Sequence, residues 1–91
     1  MQADPPTAPT TFRLSAPGAR SVMLVGDFNR WDTTADPMPL VGSMYELTIP
    51  LPQGYRYRYR FLVDGERWEN DIGADDYLPN GDGTYDSVRR V

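Results

Sequence analysis

Polar and apolar residues alternate at Thr11-Phe12-Arg13-Leu14, a period of two that predicts a strand. Pro17-Gly18 supplies a turn, and the β-branched run from Arg20 to Val25 predicts a second strand that Gly26 ends. From Asp27 to Gly42, Trp31, Pro37 and Pro39 lie among Asp and Thr, so a long loop with an exposed tip is expected. Alternation resumes at Met44 to Ile49 and is closed by Pro50, Pro52 and Gly54, the two prolines suiting a strand end or an edge. The clearest period-two segment is Tyr55 to Val63, with Tyr55, Tyr57, Tyr59, Phe61 and Val63 on one face and Arg56, Arg58 and Arg60 on the other. Asp64-Gly65 fits a type I′ turn that returns the chain into Arg67-Trp68-Glu69 as a short partner strand. Asn70 to Gly83 reads as loop and Tyr85 to Val91 as a last strand. Nothing repeats and no helical periodicity is sustained. Short strands joined by turn signals predict an all-β fold, an antiparallel β-sandwich with a small barrel as the alternative. Residues 1–10, with Pro5, Pro6 and Pro9, read as a Pro-rich disordered tail or linker, leaving 11–91 as the domain.

Composition narrows the chemistry. In 91 residues the chain holds no Cys and no His, which removes thiolate and imidazole nucleophiles, general bases and metal ligands. No enzyme activity, cofactor or metal is therefore expected. Asp71, Asp75, Asp76, Asn80, Asp82 and Asp86 make an oxygen-rich stretch, but the spacing lacks the alternate ligands and final Glu of a calcium loop. The net charge of -4 disfavours nucleic acid and anionic membranes as partners, and all nine cations are Arg. No apolar run approaches the roughly 20 residues of a membrane span, and the start lacks the basic and apolar regions of a leader. A soluble cytoplasmic protein is expected.

The remaining candidates are aromatic and cationic. Trp31, in Gly26-Asp27-Phe28-Asn29-Arg30-Trp31, and Trp68, between Arg67 and Glu69, are either core and rim packing or a pair of exposed platforms. A sugar ring presents an apolar C–H face and a girdle of hydroxyls, so flat aromatic surface beside Arg, Asn and Asp suits it. The Arg56, Arg58, Arg60 row is a nucleic-acid stripe, a solvated face paired with acids such as Glu46, or a set of planar donors to hydroxyls.

Taken together, Gly26-Asp27-Phe28-Asn29-Arg30-Trp31, Tyr59-Arg60-Phe61-Leu62-Val63-Asp64-Gly65 with Trp68, and the Pro79-Asn80 and Ser87-Val88 segments resemble carbohydrate-binding module family 48. This is the glycogen-binding domain of the AMP-activated protein kinase beta subunit and the N-terminal domain of isoamylases and glycogen branching enzymes. The resemblance runs from about Thr11 to Val91. It implies an immunoglobulin-like sandwich of the early-set type and non-catalytic binding of α-1,4-linked glucan such as glycogen, starch or maltodextrin. It implies stacking by Trp31 and Trp68, and hydroxyl contacts from Arg60 in place of the family's lysine and from Thr84. Asp82 stands where the kinase module has a leucine and Asp86 where it has an asparagine. The alternative that the resemblance implies is a packing module that contacts a catalytic domain or partner subunit without binding sugar.

Overall fold

The alternation in the Tyr55 to Val63 segment carries through to burial: Tyr59, Phe61 and Val63 are fully buried while Arg56, Arg58 and Arg60 face away from them. The computed structural model describes residues 5–91. Its strands are β1 (Thr7–Leu14), β2 (Val22–Gly26), β3 (Leu40–Val41), β4 (Met44–Pro52), β5 (Arg56–Val63), β6 (Arg67–Glu69), β7 (Asp76–Pro79) and β8 (Tyr85–Arg90). They form two antiparallel sheets, one in the order β1-β4-β3 and one in the order β2-β5-β8-β7, with β6 pairing β5. The result is an all-β sandwich, as the turn spacing predicts. Among the described residues no helix is long and apolar enough to cross a membrane.

The core lies between the sheets. Phe12 of β1 and Tyr45 and Leu51 of β4 meet Leu24 of β2 and Tyr59, Phe61 and Val63 of β5. Phe12 packs edge-on to Tyr59 at 4.8 Å between ring centroids, and Arg89 of β8 crosses the layer to lie 4.7 Å over the Phe12 ring and donate to the Thr11 carbonyl. Burial pushes the Tyr59 phenol well above its ordinary pKa, with the hydrogen bond to Asp71 Oδ2 adding to it.

Strand β1 corrects the boundary drawn at residue 10. Thr7 to Thr10 pair with Pro52 to Ile49, and the Gln53 N–H donates to the Pro6 carbonyl. The prolines do not prevent pairing. Pro9 lies directly opposite Pro50, and Thr7 opposite Pro52, in a register whose intervening pairs turn Thr10, Phe12 and Leu51 into the core. No ladder N–H is required of a proline at such a non-hydrogen-bonded pair. Pro50 and Pro52 continue β4 instead of closing it, and their other side is an edge because β3 pairs only Met44 and Tyr45. The part of the expected tail comprising residues 1–4 lies outside the described residues.

Two expected loops also contain strands. Leu40–Val41 pairs β4 within the stretch 27–42, and Asp76–Pro79 pairs β8 within 70–83. Both strands are shorter than the alternation needed to reveal them. The turn after β5 has positive φ at Asp64 (55°) and Gly65 (73°) with a Glu66 N–H to Val63 carbonyl bond, as a type I′ turn requires. Asp64 Oδ1 accepts from the backbone N–H groups of Arg20 (2.6 Å) and Ser21 (3.0 Å), which pins the turn after β5 to the entry of β2 and holds the Asp64 carboxyl below its usual pKa.

Candidate functional site

The outward face of the larger sheet carries the candidate residues. On one edge of β5 runs β2, whose Gly26 opens a single 3-10 turn, Asp27–Asn29, leading to Trp31. Gly26 lies opposite Tyr59, and a Cβ there would stand 2.5 Å from the Arg58 carbonyl oxygen, so only glycine lets the chain pass this close to β5. Asn29 closes the turn: its Oδ1 accepts from the Gly26 N–H at 3.0 Å, and its Nδ2 donates to the Leu24 carbonyl and to Asp36 Oδ2. Arg30 and Trp31 both take left-handed backbone (φ 57° and 58°), a conformation costing of order 1–3 kcal/mol per non-glycine residue. The Trp31 N–H to Gly26 carbonyl bond (2.9 Å) and the indole N–H to Asp27 Oδ1 bond (3.0 Å) hold it there. The other oxygen of Asp27 accepts from the Arg58 N–H, so the loop is tied to β5 through Asp27.

On the other edge of β5, β6 follows β8. Trp68 lies opposite Leu62, placing its ring on the same outward face, 40% exposed. Arg60 therefore stands between the tryptophans. Its guanidinium carbon lies 4.9 Å from the centroid of the Trp68 ring and 5.9 Å from that of Trp31, both within cation–π range. The two ring centroids are thus at most 10.8 Å apart, the sum of 5.9 and 4.9 Å. Neither tryptophan belongs to the core cluster.

The last loop borders the same face. Thr84 Oγ1 is 3.5 Å from Arg60 Nη1 and accepts from Asn80 Nδ2 at 2.7 Å. Asp82 is exposed but engaged within the loop, its Oδ1 accepting from both the N–H and the hydroxyl of Thr84. Those bonds, hydroxyl first, hold the Asp82 pKa below the ordinary aspartate value of 3.8. The ionised carboxylate thus favours the closed loop. Its contribution is complete above the unfolded pKa and is lost as pH falls through the lower folded one. The Thr84 amide resonance should accordingly titrate with a midpoint below 3.8. A midpoint at or above that value would remove the bond.

Asp86 differs from its expected place among sugar-contacting residues. It is 5% exposed, with Oδ1 3.3 Å from Arg60 Nε and 3.1 Å from Asn80 Nδ2, and Oδ2 3.5 Å from Arg58 Nη1. The acid facing the arginine row is thus Asp86 and not Glu46, which pairs with Arg13. The oxygen-rich stretch does not converge on a point: Asp71 is buried against Tyr59, Asp75 accepts from the Arg90 N–H, and Asp76 pairs with the Arg90 side chain. Among the described residues no group of three or more acids could hold a metal ion. Trp31, Arg60, Trp68 and Thr84 are therefore brought together at the surface, Asp82 at the rim and Asp86 beneath. Sequence reasoning missed Asp27 and Asn29, whose signal is an Asp and an Asn two residues apart directly after a strand-ending glycine, the chemistry of a local side-chain-to-backbone turn.

The family model for carbohydrate-binding module 48 (isoamylase N-terminal domain) matches residues 1–78. The 1,4-alpha-glucan branching enzyme of Nitrosomonas europaea is 47% identical over 62 residues, covering 63% of this chain and 8% of the enzyme. That of Nitrosococcus oceani is 46% identical over 74 residues, covering 78% of this chain and 10% of the enzyme. That of Thermobifida fusca is 50% identical over 46 residues, covering 48% of this chain and 6% of the enzyme. The chain thus spans a tenth or less of the length of these relatives. The family match includes Trp31, Arg60 and Trp68 and stops before Asp82, Thr84 and Asp86.

Proposed function

The chain belongs to the carbohydrate-binding module 48 family, and on that premise we propose that it binds α-1,4-linked glucan without catalysing a reaction. The observation that carries this reading is the pair of tryptophans flanking Arg60 on an exposed sheet face. Each indole offers a flat apolar surface to the C–H face of a glucosyl unit. Their separation lets nearby units of one glucan chain rest on both. Arg60 supplies planar N–H donors to hydroxyls between the rings, and the Thr84 hydroxyl supplies a further donor and acceptor at the rim. The opposing sheet contributes nothing to the contact, which suits a polymer lying across a surface and not an oligomer enclosed in a cleft. The branching-enzyme relatives place such a domain within a longer polypeptide, and we extend the proposal to a catalytic neighbour on which this domain concentrates the polymer.

Native electrophoresis through a gel containing soluble glycogen tests the reading, with retardation relative to a blank gel expected. Arg60→Ala should diminish the retardation. Arg56→Ala should not, because Arg56 lies about 14 Å along β5 from Arg60. Added salt should leave the wild-type shift nearly unchanged, since the ligand is neutral. Migration identical in the two gels would favour the packing role, and equal losses from both arginine variants would point to diffuse electrostatics.

A further inference from the structure

We propose that Asp86 is a positioning residue that holds the Arg60 guanidinium between the two indole rings and makes no contact with glucan itself. The proposal rests on the glucan-binding reading for its consequence but on the ligand-free structure for its geometry. An arginine side chain has four rotatable bonds and, at a surface, no reason to remain in one place. Arg60 is nonetheless only 16% exposed on a sheet face that no second sheet covers. Three groups surround it: the Trp68 ring, the Trp31 ring and the Asp86 carboxylate. The rings attract the cation without setting its direction along the face, whereas the Asp86 charge 3.3 Å from Nε draws the Nε end of the planar group toward β8. The Nε–H is buried and makes no hydrogen bond, so the contact is a charge pair out of alignment. It leaves the Nη groups, apart from one long contact to Thr84, as the donors for hydroxyls.

Asp86 is itself secured. Asn80 Nδ2 donates to its Oδ1, and Arg58, whose Nη1 also donates to the Pro79 carbonyl, stands on its other oxygen. At 5% exposure the carboxylate offers a polymer on the surface almost nothing to touch. It sits on β8 opposite Leu78, in the layer beneath the loop that carries Thr84. One acid therefore fixes the arginine of the central strand and the base of the last loop together.

The test combines a spectrum of the free protein with a binding cycle. In the wild type, the Arg60 Nε–H resonance should be displaced by the two rings from those of exposed Arg13 and Arg67. Asp86→Asn, which keeps volume and an acceptor but removes the charge, should move it to their position. Coincidence of the wild-type Arg60 resonance with those of the exposed arginines would overturn the proposal, as would an unmoved resonance in Asp86→Asn. The wild-type spectrum decides this arm even if the variant does not fold. Maltoheptaose titration of Asp86→Asn, Arg60→Ala and the double variant, each checked for folding by thermal melting, supplies the second arm. About tenfold weaker binding is expected in each single variant and no further loss in the double, the coupling that residues acting as a unit show. Losses that multiply to about a hundredfold would mean that Asp86 touches the sugar directly. Absence of binding by the wild type would defeat the glucan reading alone, because the resonance measurement needs no ligand.

Discussion

Trp68→Ala is expected to weaken maltoheptaose binding by between about fivefold and 150-fold, the equivalent of the roughly 1–3 kcal/mol that aromatic stacking on a flat ring contributes in nucleic-acid sites. The fold should barely register the change. Trp68 lies on a three-residue strand with its ring 40% exposed and outside the core cluster, so the roughly 3–5 kcal/mol attached to truncating a core tryptophan does not apply. Trp31→Ala should lose binding to a similar degree and stability to a greater one. It removes the indole bond to Asp27 while leaving the residue at φ 58°, where alanine is strained as well. In both variants Arg60 loses a ring against which it is held, so part of the binding loss reaches the sugar through the arginine. Titration calorimetry beside thermal unfolding separates the two quantities. Unchanged affinity in a destabilised Trp68→Ala protein would return that tryptophan to a packing role and withdraw the platform from the site.

How far the sequence discloses this arrangement depends on the range over which each signal acts. The β5 alternation is local and places Arg60 on the outward face without knowledge of the rest of the chain, whereas Trp68 is not disclosed in this way: a plain two-residue Asp64-Gly65 turn sets it opposite the buried Phe61, and the observed register, with Glu66 as an extra residue, sets it opposite Leu62. The end of β2 at Gly26 is legible for the same reason as the Arg60 face. The early start of β1 is not, because its prolines are acceptable only in a register set by β4, some 40 residues away in sequence. Strand β7 depends likewise on β8. The same limit governs the site. Read singly, arginine in place of lysine at position 60 and aspartate in place of asparagine at position 86 resemble two separate losses. In the folded protein their charged groups lie 3.3 Å apart across β5 and β8, so they form one ion pair in which each residue accounts for the other. A contact of that kind between distant segments cannot be deduced from either position alone.

Gly26→Ala should be the most damaging single methyl in the site, and the reason is space and not conformation. The backbone at Gly26 is extended (φ −170°), a region open to every residue. An added Cβ would, however, lie 2.5 Å from the Arg58 carbonyl oxygen, 2.7 Å from Tyr59 Cβ and 2.9 Å from Phe28 Cζ. The first two belong to the central strand β5 and move only if the β2–β5 ladder opens. The Phe28 ring could turn, but it packs against Phe12, Tyr57 and Tyr59. Overpacking of well-filled interiors typically costs about 1–3 kcal/mol, and obstruction by backbone puts this case at or above the upper end, about 3 kcal/mol. That is a large fraction of the roughly 5–15 kcal/mol available to a domain. The damage should extend to binding, since Gly26 donates to Asn29 Oδ1 and accepts from the Trp31 N–H, and a displaced Gly26 carries the Trp31 platform with it. Gly42→Ala is the informative control. Gly42 has open space around it but a φ of 64°, so alanine there incurs only the left-handed penalty of roughly 1 kcal/mol and lies away from the tryptophans. Urea unfolding of the two variants, with glucan affinity measured on each, distinguishes close approach from backbone strain. If Gly26→Ala proves no less stable than Gly42→Ala and binds as the wild type does, the tight passage between β2 and β5 is not what seats Trp31.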